Sequence, residues 1–324
     1  MAGRVRGLIA AALLGTILAG CGEEGAARFA ADEPLGPGGG GGLTIALPAA
    51  AGYRDPLHAR TPAAQLVARQ VFEPLVSRQR PPVEGGEPQP GLALDSGHSA
   101  DFHVWRFRLR PDVDFQDGEP FNGAAVSANA RRWISDPVAA ALLPGLIAAD
   151  APRPNLVRFI FSVPVADLPR RLADPRLGLV SPTAMTAGPP GGGIRALNAG
   201  TGPFRLPAPG ASGGRGSELV LRRNQRWWGG RRGLGPALDE LIFQFEQAPE
   251  ERLRLLESGR VRLAVQLPPA LAPALRRNPL VTWLTAEGSL LAFERSVHGL
   301  GRVQPQALTG VWITLVQGGG SPAP

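Results

Sequence analysis

Apolar and polar residues alternate strictly between Trp105 and Arg110, where tryptophan, phenylalanine and leucine are separated by arginines. This period of two is typical of a strand with one buried face. We therefore predict a strand that buries Trp105, Phe107 and Leu109 and exposes its arginines, Arg110 included.

The residues that follow predict turns and then a helix. Pro111 ends the strand because proline cannot donate to a ladder, and Val113 and Phe115 resume the alternation in a short second strand. Asn122 is a candidate N-cap for a helix over residues 123–134. The whole stretch is thus predicted to be a compact α/β unit.

The same two periodicities recur along the chain, as runs of apolar residues at helical spacing and as short apolar runs of strand length. Helices are predicted over residues 63–76, bent or ended by Pro74, and over 166–172 and 250–259. Strands are predicted over residues 43–47, 156–163 and 177–181. The apolar segments 283–284, 290–293 and 311–316 fit either strands or a short helix.

The first 20 residues have the pattern of an export signal. Arg4 and Arg6 precede an apolar run over residues 8–18, which is too short to span a bilayer. The run ends in Leu-Ala-Gly before Cys21, a pattern that resembles the lipobox of bacterial lipoproteins, in which the cysteine is acylated. We expect Cys21 to be the lipid attachment site and the protein to be extracytoplasmic and anchored to a bacterial membrane.

Composition limits the partners of the remaining chain. Residues 21–42 are rich in Gly, Ala and Glu and predict a flexible tether, and residues 318–324 predict a disordered tail. All 34 basic residues are arginines, and the formal net charge is +7. Because these arginines are scattered through predicted strands and turns, we expect no nucleic-acid partner.

Candidate chemistry is sparse. Residues 210–214 read G-x-S-x-G, but they lie in a Pro/Gly loop between two strands, which cannot preorganise an oxyanion hole. His98 and His103 lack the spacing of a zinc site. Asp112, Asp114 and Asp117 do not have the register of a calcium-binding loop. We predict no catalytic residue, no metal and no cofactor. The pair Trp227 and Trp228 could stack on a ligand or pack in the core, on opposite faces of a strand.

Several fixed motifs carry a resemblance to a known family. They read W-x-F-x-L-R-x-x-V-x-F-x-D-G-x-P-F (105–121), F-E-x-L (72–75), S-P-x-A (181–184), G-T-G-P-F (200–204) and R-N-x-x-W-W-G (223–229). Taken in chain order, they resemble the family 5 extracellular solute-binding proteins, the peptide- and dipeptide-binding receptors of ABC importers. Ala125 stands where that family usually has an acidic residue.

The resemblance implies an α/β, type II periplasmic-binding-protein-like fold with one lobe and an inserted α/β subdomain. Only a short segment follows residue 267 where the family has a second lobe, so we expect that lobe to be missing or vestigial. The implied division is 1–20 signal peptide, 21–42 tether, 43–72 first part of lobe I, 73–178 inserted subdomain, 179–267 lobe I continued, 268–317 short crossover and return, and 318–324 tail.

The resemblance also implies a function and a site. The leading interpretation is a solute-binding protein that takes peptides or related small solutes for ABC permease subunits. The alternative is a degenerate, non-transporting lipoprotein that binds a protein partner through the exposed lobe face, which a second chain could cover. By alignment with the family, the residues expected to face the solute cleft are Ala59, Arg60, Thr61, Gly200, Thr201, Gly202 and Phe204.

Overall fold

Three β-sheets, of seven, four and two strands, are present in the described part of the chain, and helices pack on the two larger ones. The computed structural model describes residues 41–49, 53–77, 87–186, 199–206, 217–232, 236, 238–278, 281–286 and 289–294. The predicted signal peptide, Cys21, the G-x-S-x-G segment and the predicted tail lie outside the described residues. Residues 311–316 also lie outside them.

The strands and helices are numbered in chain order. The strands are β1 (Gly42–Leu47), β2 (Val76–Ser77), β3 (Gln89–Pro90), β4 (Ala93–His98), β5 (Val104–Leu109), β6 (Leu146–Arg153), β7 (Leu156–Phe161), β8 (Phe204–Arg205), β9 (Glu218–Arg223), β10 (Glu240–Phe245), β11 (Leu263–Leu267), β12 (Val281–Ala286) and β13 (Ser289–Glu294). The helices are α1 (Pro62–Val71), α2 (Gly123–Ser135), α3 (Pro137–Leu142), α4 (Leu168–Leu172), α5 (Pro182–Thr186), α6 (Pro249–Glu257) and α7 (Ala272–Arg277).

The larger sheet has the strand order β12-β13-β11-β1-β10-β9-β8 within the described residues. Its centre is parallel, because β1 pairs in parallel with β10 on one side and with β11 on the other. The flanking strands pair antiparallel. The chain therefore crosses from one side of β1 to the other between β10 and β11, which creates a topological switch point at the carboxyl ends of these strands.

The smaller sheet is antiparallel, with the order β4-β5-β7-β6. Helix α2 packs mainly on β6. In β5 the predicted alternation is confirmed, since Trp105, Phe107 and Leu109 are buried while Arg106 and Arg108 are exposed. The N-cap prediction is confirmed too, because the side chain of Asn122 accepts a hydrogen bond from the backbone N–H of Ala125.

Arg110 corrects the predicted face of that strand. It lies beyond the last residue of β5 and is buried, with its guanidinium 4.2 Å from the ring centroid of Trp228. Its Nε also donates to the carbonyl of Gly91 at 3.1 Å. The alternation stops at Leu109, and a cation–π contact then makes burial of the arginine favourable.

Three further predictions change in the structure. The short strand around Val113 and Phe115 is reduced to one isolated bridge between Asp114 and Pro120. Residues 177–181 are buried but form no strand, because their backbone N–H groups bond to several different elements: that of Leu179 donates to the carbonyl of Glu73, for example. Of the alternatives open for 283–284 and 290–293, the chain adopts strands, since these residues lie in β12 and β13.

Buried apolar residues of the described chain form three cores, of which the third contains Leu255 of α6 and Ala264 of β11. The larger sheet and α1 enclose one core, which includes Ile45, Phe72 and Phe243. The smaller sheet and α2 enclose a second core around Phe107 and Phe159. Among the described helices, none combines the length and the apolarity that crossing a membrane requires.

Candidate functional site

The sequence motifs meet at one junction, which is centred on the carboxylate of Glu73. This residue follows the end of α1, in the F-E-x-L motif. Its carboxylate accepts hydrogen bonds from the hydroxyl of Thr201 at 2.9 Å and from the indole N–H groups of Trp227 and Trp228, at 3.3 and 2.9 Å. One charged acceptor thus holds two distant segments next to the end of α1, and such hydrogen bonds are stronger than neutral ones.

Trp227 and Trp228 therefore point the same way, and the prediction that they lie on opposite faces of a strand is wrong. Both are buried in the core of the smaller sheet, in the turn after β9. A turn lacks the two-residue period of a strand, so neighbouring side chains can converge on one acceptor. Of the two roles left open by the sequence, packing is the one observed.

Gln116 attaches the Asp-Gly turn to the same junction. Its backbone N–H donates to the carbonyl of Gly200 at 2.8 Å, and its side-chain amide donates to the carbonyls of Gly202 and Phe204 at 3.1 and 2.8 Å. The side-chain amide of Asn224 donates to Gly202 as well, at 3.0 Å. The loop at 200–204 is consequently held by backbone contacts on both sides.

Close backbone approach explains the two glycines of that loop. A Cβ atom on Gly200 would lie 1.9 Å from the carbonyl oxygen of Val71, and one on Gly202 would lie 2.6 Å from that of Gln70. The N–H of Gly202 donates to the Val71 carbonyl at 2.8 Å, which satisfies the end of α1. Any side chain at these positions would push the loop off the helix.

The structure does not bring the predicted site residues together. Thr61 caps the N-terminal end of α1, whereas Gly202 bonds to the last residue of that helix. A helix of 10 residues separates the two groups by about 15 Å. Contact with a solute stays a prediction for all of them. The exposed members are Arg60 and Thr61, and the buried members are Ala59, Gly200, Thr201, Gly202 and Phe204.

The better candidate is the edge formed by the carboxyl ends of β1, β10 and β11, which we call the carboxyl edge. Ligands of open α/β sheets bind outside the carboxyl ends of parallel strands at a switch point. Here the ring of Tyr53 stacks on Phe245, the last residue of β10, with centroids 6.5 Å apart. The exposed guanidinium of Arg54 lies 5.7 Å from the centroid of the Tyr53 ring.

Arg252 binds the backbone carbonyls at the carboxyl edge. It is buried in α6, and its guanidinium donates to the carbonyls of Glu246 and Gln247 after β10 and to that of Gln266 in β11. Burial lowers the pKa of Arg252 from its usual range, although the charges of Glu246 and Glu250 oppose this. One buried cation thus ties together the ends of two parallel strands.

Gln266 has an unusual backbone conformation at this edge. Its φ is 54°, and the pairing of β11 with β13 shifts register across this part of the strand. Left-handed non-glycine residues and bulges are concentrated at functional sites, where they redirect a side chain. Gln247, exposed at the end of β10, accepts a hydrogen bond from the N–H of Ala49 at 3.4 Å.

An ionic cluster fixes the segment that carries Tyr53 and Arg54. Asp55 is buried, and its carboxylate contacts Arg132 of α2, Nδ1 of His58 at 2.8 Å and the N–H of Leu57 at 3.1 Å. Burial favours the protonated acid, but the hydrogen bonds and charges of Arg132 and His58 outweigh it and lower the pKa of Asp55. The segment is therefore anchored to the second core.

Metal ligation finds no support in the part of the chain that the structure describes. No group of three or more His, Cys, Asp or Glu residues there could hold an ion. His98 instead stacks on Phe102 and packs at a tilt against Trp105, and Nδ1 of His103 contacts the carbonyl of Phe161. The fourth histidine, His298, lies outside the described residues.

Sequence reasoning missed four residues of the carboxyl edge, which lie after β1, after β10 or near the end of β11. The available signal was position, because residues directly after the central parallel strands of an α/β sheet meet at one edge. Recognising it requires the strand order, which no motif states. The four residues are Tyr53, Arg54, Gln247 and Gln266.

The fold and this edge define a class, the type II periplasmic binding proteins. The structure of the binding protein AgaA from Agrobacterium tumefaciens R10, in complex with agropinic acid, superposes with a TM-score of 0.65 at 23% identity, covering 75% of this chain and 48% of that one. NikA from Brucella suis, in complex with Fe(III)-EDTA, gives a TM-score of 0.63 at 26% identity, with the same coverage.

The sequence comparisons assign the family within that class. The family description "Bacterial extracellular solute-binding proteins, family 5 Middle" matches residues 87–298, so the chain belongs to this family. The nickel-binding periplasmic protein of Escherichia coli K12 is 29% identical over 229 residues, 68% of this chain and 40% of that protein. Glutathione-binding protein GsiB of Escherichia coli O1:K1 / APEC is 26% identical over 276 residues, 84% of this chain and 48% of that protein. The chain thus spans about half the length of the relatives it matches.

Proposed function

We propose that this chain is the solute-binding component of an ABC importer, anchored outside a bacterial membrane through Cys21. The family supports solute binding, since its members here include nickel-binding and glutathione-binding proteins. The observation that carries the proposal is the carboxyl edge, where Tyr53 and Arg54 stand beside the ends of the parallel strands. Nothing in this arrangement supplies a nucleophile with an adjacent base, so we propose binding without catalysis.

The proposed solute is a peptide or a related small molecule, handed on to permease subunits. DppA from Helicobacter pylori, in complex with the peptide STSA, shares the fold with a TM-score of 0.63 at 20% identity. We also propose that residues 43–72 and 179–267 form one lobe with 73–178 inserted. Strands β1 and β10 pair with each other, although the strands of the separate sheet β4-β5-β7-β6 lie between them in the sequence. This supports the division.

Calorimetry of the purified 324-residue chain against a mixed pool of di- to pentapeptides tests this function. A solute on the carboxyl edge keeps one face in water unless another lobe or chain covers it, and each ~1.4 kcal/mol of lost contact costs tenfold in affinity. We expect saturable binding with a Kd of about 100 μM or weaker. The control is the same titration on heat-unfolded protein. Absence of saturable heat at millimolar solute would contradict the proposed function.

A further inference from the structure

We propose that a cavity at the amino end of the parallel strands binds a small zwitterion with the size of a single free amino acid. The cavity has a volume of about 160 Å³ and is lined by Asp114, Phe115, Gln116, Arg205, Asn224, Gln225 and Arg226. It is separate from the carboxyl edge, so this inference does not depend on the solute-binding function proposed above.

The strand pairing places this cavity at the opposite end of the larger sheet from the carboxyl edge. Residues 224–226 directly follow β9, which runs antiparallel to β10 and pairs Arg222 with Glu240, the first residue of β10. The distance from Glu240 to Phe245 at the carboxyl edge is about 17 Å along an extended strand. A molecule small enough for the cavity would not reach the carboxyl edge.

The two walls of the cavity are fixed to each other by polar contacts. One wall is the turn after β5, and the other consists of β8 and the residues after β9. The side-chain amide of Gln116 donates across to the carbonyls of Gly202 and Phe204, at 3.1 and 2.8 Å. The guanidinium of Arg226 contacts the carboxylate of Asp114 at 3.2 Å. Walls joined in this way form a site before the ligand arrives, which reduces the ordering cost of binding.

Arg205 gives the cavity a positive charge without a partner. Its side chain is exposed and forms no ion pair among the described residues. It lies directly opposite Arg222 of β9, and like charges at opposite positions destabilise a sheet. Arg222 has a partner, because its guanidinium lies 3.3 Å from the carboxylate of Glu240. Arg205 is therefore the group that an anionic part of a ligand would contact.

Asp114 and Gln116 supply acceptors for the opposite charge. Oδ2 of Asp114 contacts Arg226, whereas Oδ1 has no contact within the described residues. Nε2 of Gln116 donates to two carbonyls, which fixes Oε1 as the acceptor, and Oε1 is buried without a donor in the described structure. A buried acceptor without a donor is unfavourable. An ammonium group, with its three N–H donors, suits these acceptors.

A cavity that presents both signs of charge discriminates against ions of a single sign. Asp114 repels a lone carboxylate, and Arg205 repels a lone ammonium group. A zwitterion satisfies both residues. The volume is well below the about 300–1,000 Å³ of sites for drug-sized ligands, which favours a single amino acid over a peptide. Phe115 provides an apolar part of the wall for a short side chain.

Three forms of one amino acid test the requirement for two charges. L-Alanine, alaninamide, which keeps only the ammonium group, and N-acetyl-alanine, which keeps only the carboxylate, are titrated separately into the full chain with NMR chemical shifts as the readout. We expect saturable binding of L-alanine that is at least about tenfold tighter than that of either analogue and less selective at high salt. No saturable binding of L-alanine, or equal binding of one analogue, would overturn the proposal.

Two variants assign the charges to residues. Arg205→Gln should reduce the preference for alanine over alaninamide about tenfold and leave its preference over N-acetyl-alanine unchanged. Asp114→Asn should have the reverse effect. A general disturbance of the fold would weaken all three ligands alike, so this crossed pattern would not arise from it. Unchanged preferences in both variants would refute the assignment.

Two further variants serve as controls. Arg106→Gln is matched to Arg205→Gln, because Arg106 is also exposed on a strand but lies on the outer face of β5. Arg54→Gln tests the carboxyl edge, and both controls should leave alanine binding unchanged. Loss of alanine binding in Arg54→Gln, with normal binding in the cavity variants, would place the ligand on the carboxyl edge and overturn the proposal. Failure of the chain to bind peptides would count only against the solute-binding function.

Discussion

The junction around Glu73 and the carboxyl edge are built on opposite principles. At the junction, three donors from two distant segments converge on one carboxylate, and two glycines lie against the end of α1 with no room for a Cβ atom. At the carboxyl edge, Tyr53 and Arg54 lie on a surface, and Gln266 adopts a left-handed backbone. One region is fully packed, and the other keeps polar groups available.

This contrast between the junction and the carboxyl edge shows that the family motifs specify packing, whereas ligand binding depends on other residues. Every motif that identifies the family contributes to the junction or to a core, because those positions accept few residue types. The carboxyl edge has exposed side chains, such as Arg54 and Gln247, whose identity core packing does not dictate. Function resides in such grafted positions, while the fold depends on the packed ones.

Replacement of Gly200 by alanine should produce the largest effect. The new Cβ would meet the carbonyl of Val71 at 1.9 Å, and backbone on both sides prevents an easy shift. We expect a loss of more than about 3 kcal/mol in the free energy of unfolding, measured by chemical denaturation. Gly97→Ala is the matched control, because a Cβ there would find nothing within 4 Å. Similar losses for the two variants would show that the junction is not tightly packed.

Asp55→Asn should have an intermediate effect that depends on pH. The variant keeps an acceptor for the N–H of Leu57 but loses the charge that faces Arg132, so we expect a loss of about 2 kcal/mol near neutral pH. Because the pKa of Asp55 is lowered in the folded protein, its stabilisation is complete above the ordinary value of 3.8 and is lost as pH falls through the lower folded value.

Chemical unfolding measured at several pH values checks the direction of this pH dependence. The difference between wild type and Asp55→Asn should be constant at neutral pH and should shrink below about 3.8. Asp95→Asn is the control, because its pair with Arg108 is exposed and should contribute under about 1 kcal/mol. A difference that grows on acidification would contradict the ionic role of Asp55.

Local patterns predicted the parts of the fold that local physics controls. The alternation of β5 and the N-cap at Asn122 depend on neighbours within a few residues, and both are confirmed. The error at Arg110 arises because its burial depends on Trp228, which lies 118 residues further along the chain. The error at residues 177–181 has the same origin, since their hydrogen bonds go to distant segments.

The candidate site was less predictable for a related reason. The resemblance directed attention to the motif loop at 200–204, which proves to be part of the junction, and to Arg60 and Thr61, which do lie at the N-terminal end of α1. Tyr53 and Gln266 belong to no motif. They belong to the same edge only because β10 and β11 lie on either side of β1, an arrangement set by the whole sheet.

Arg54→Gln should have the smallest effect on stability. It tests whether side chains of the carboxyl edge are free of structural contacts. The guanidinium is exposed and contacts only Tyr53 within the described residues, so its removal leaves no buried group without a partner. We expect a change of less than about 0.5 kcal/mol in the free energy of unfolding, as for other surface substitutions. Arg252→Gln provides the contrast, because it would leave the carbonyls of Glu246 and Gln266 without their buried donor. A loss at Arg54 as large as the loss at Arg252 would mean that the carboxyl edge is a structural contact, and that its free charge is not available to a solute.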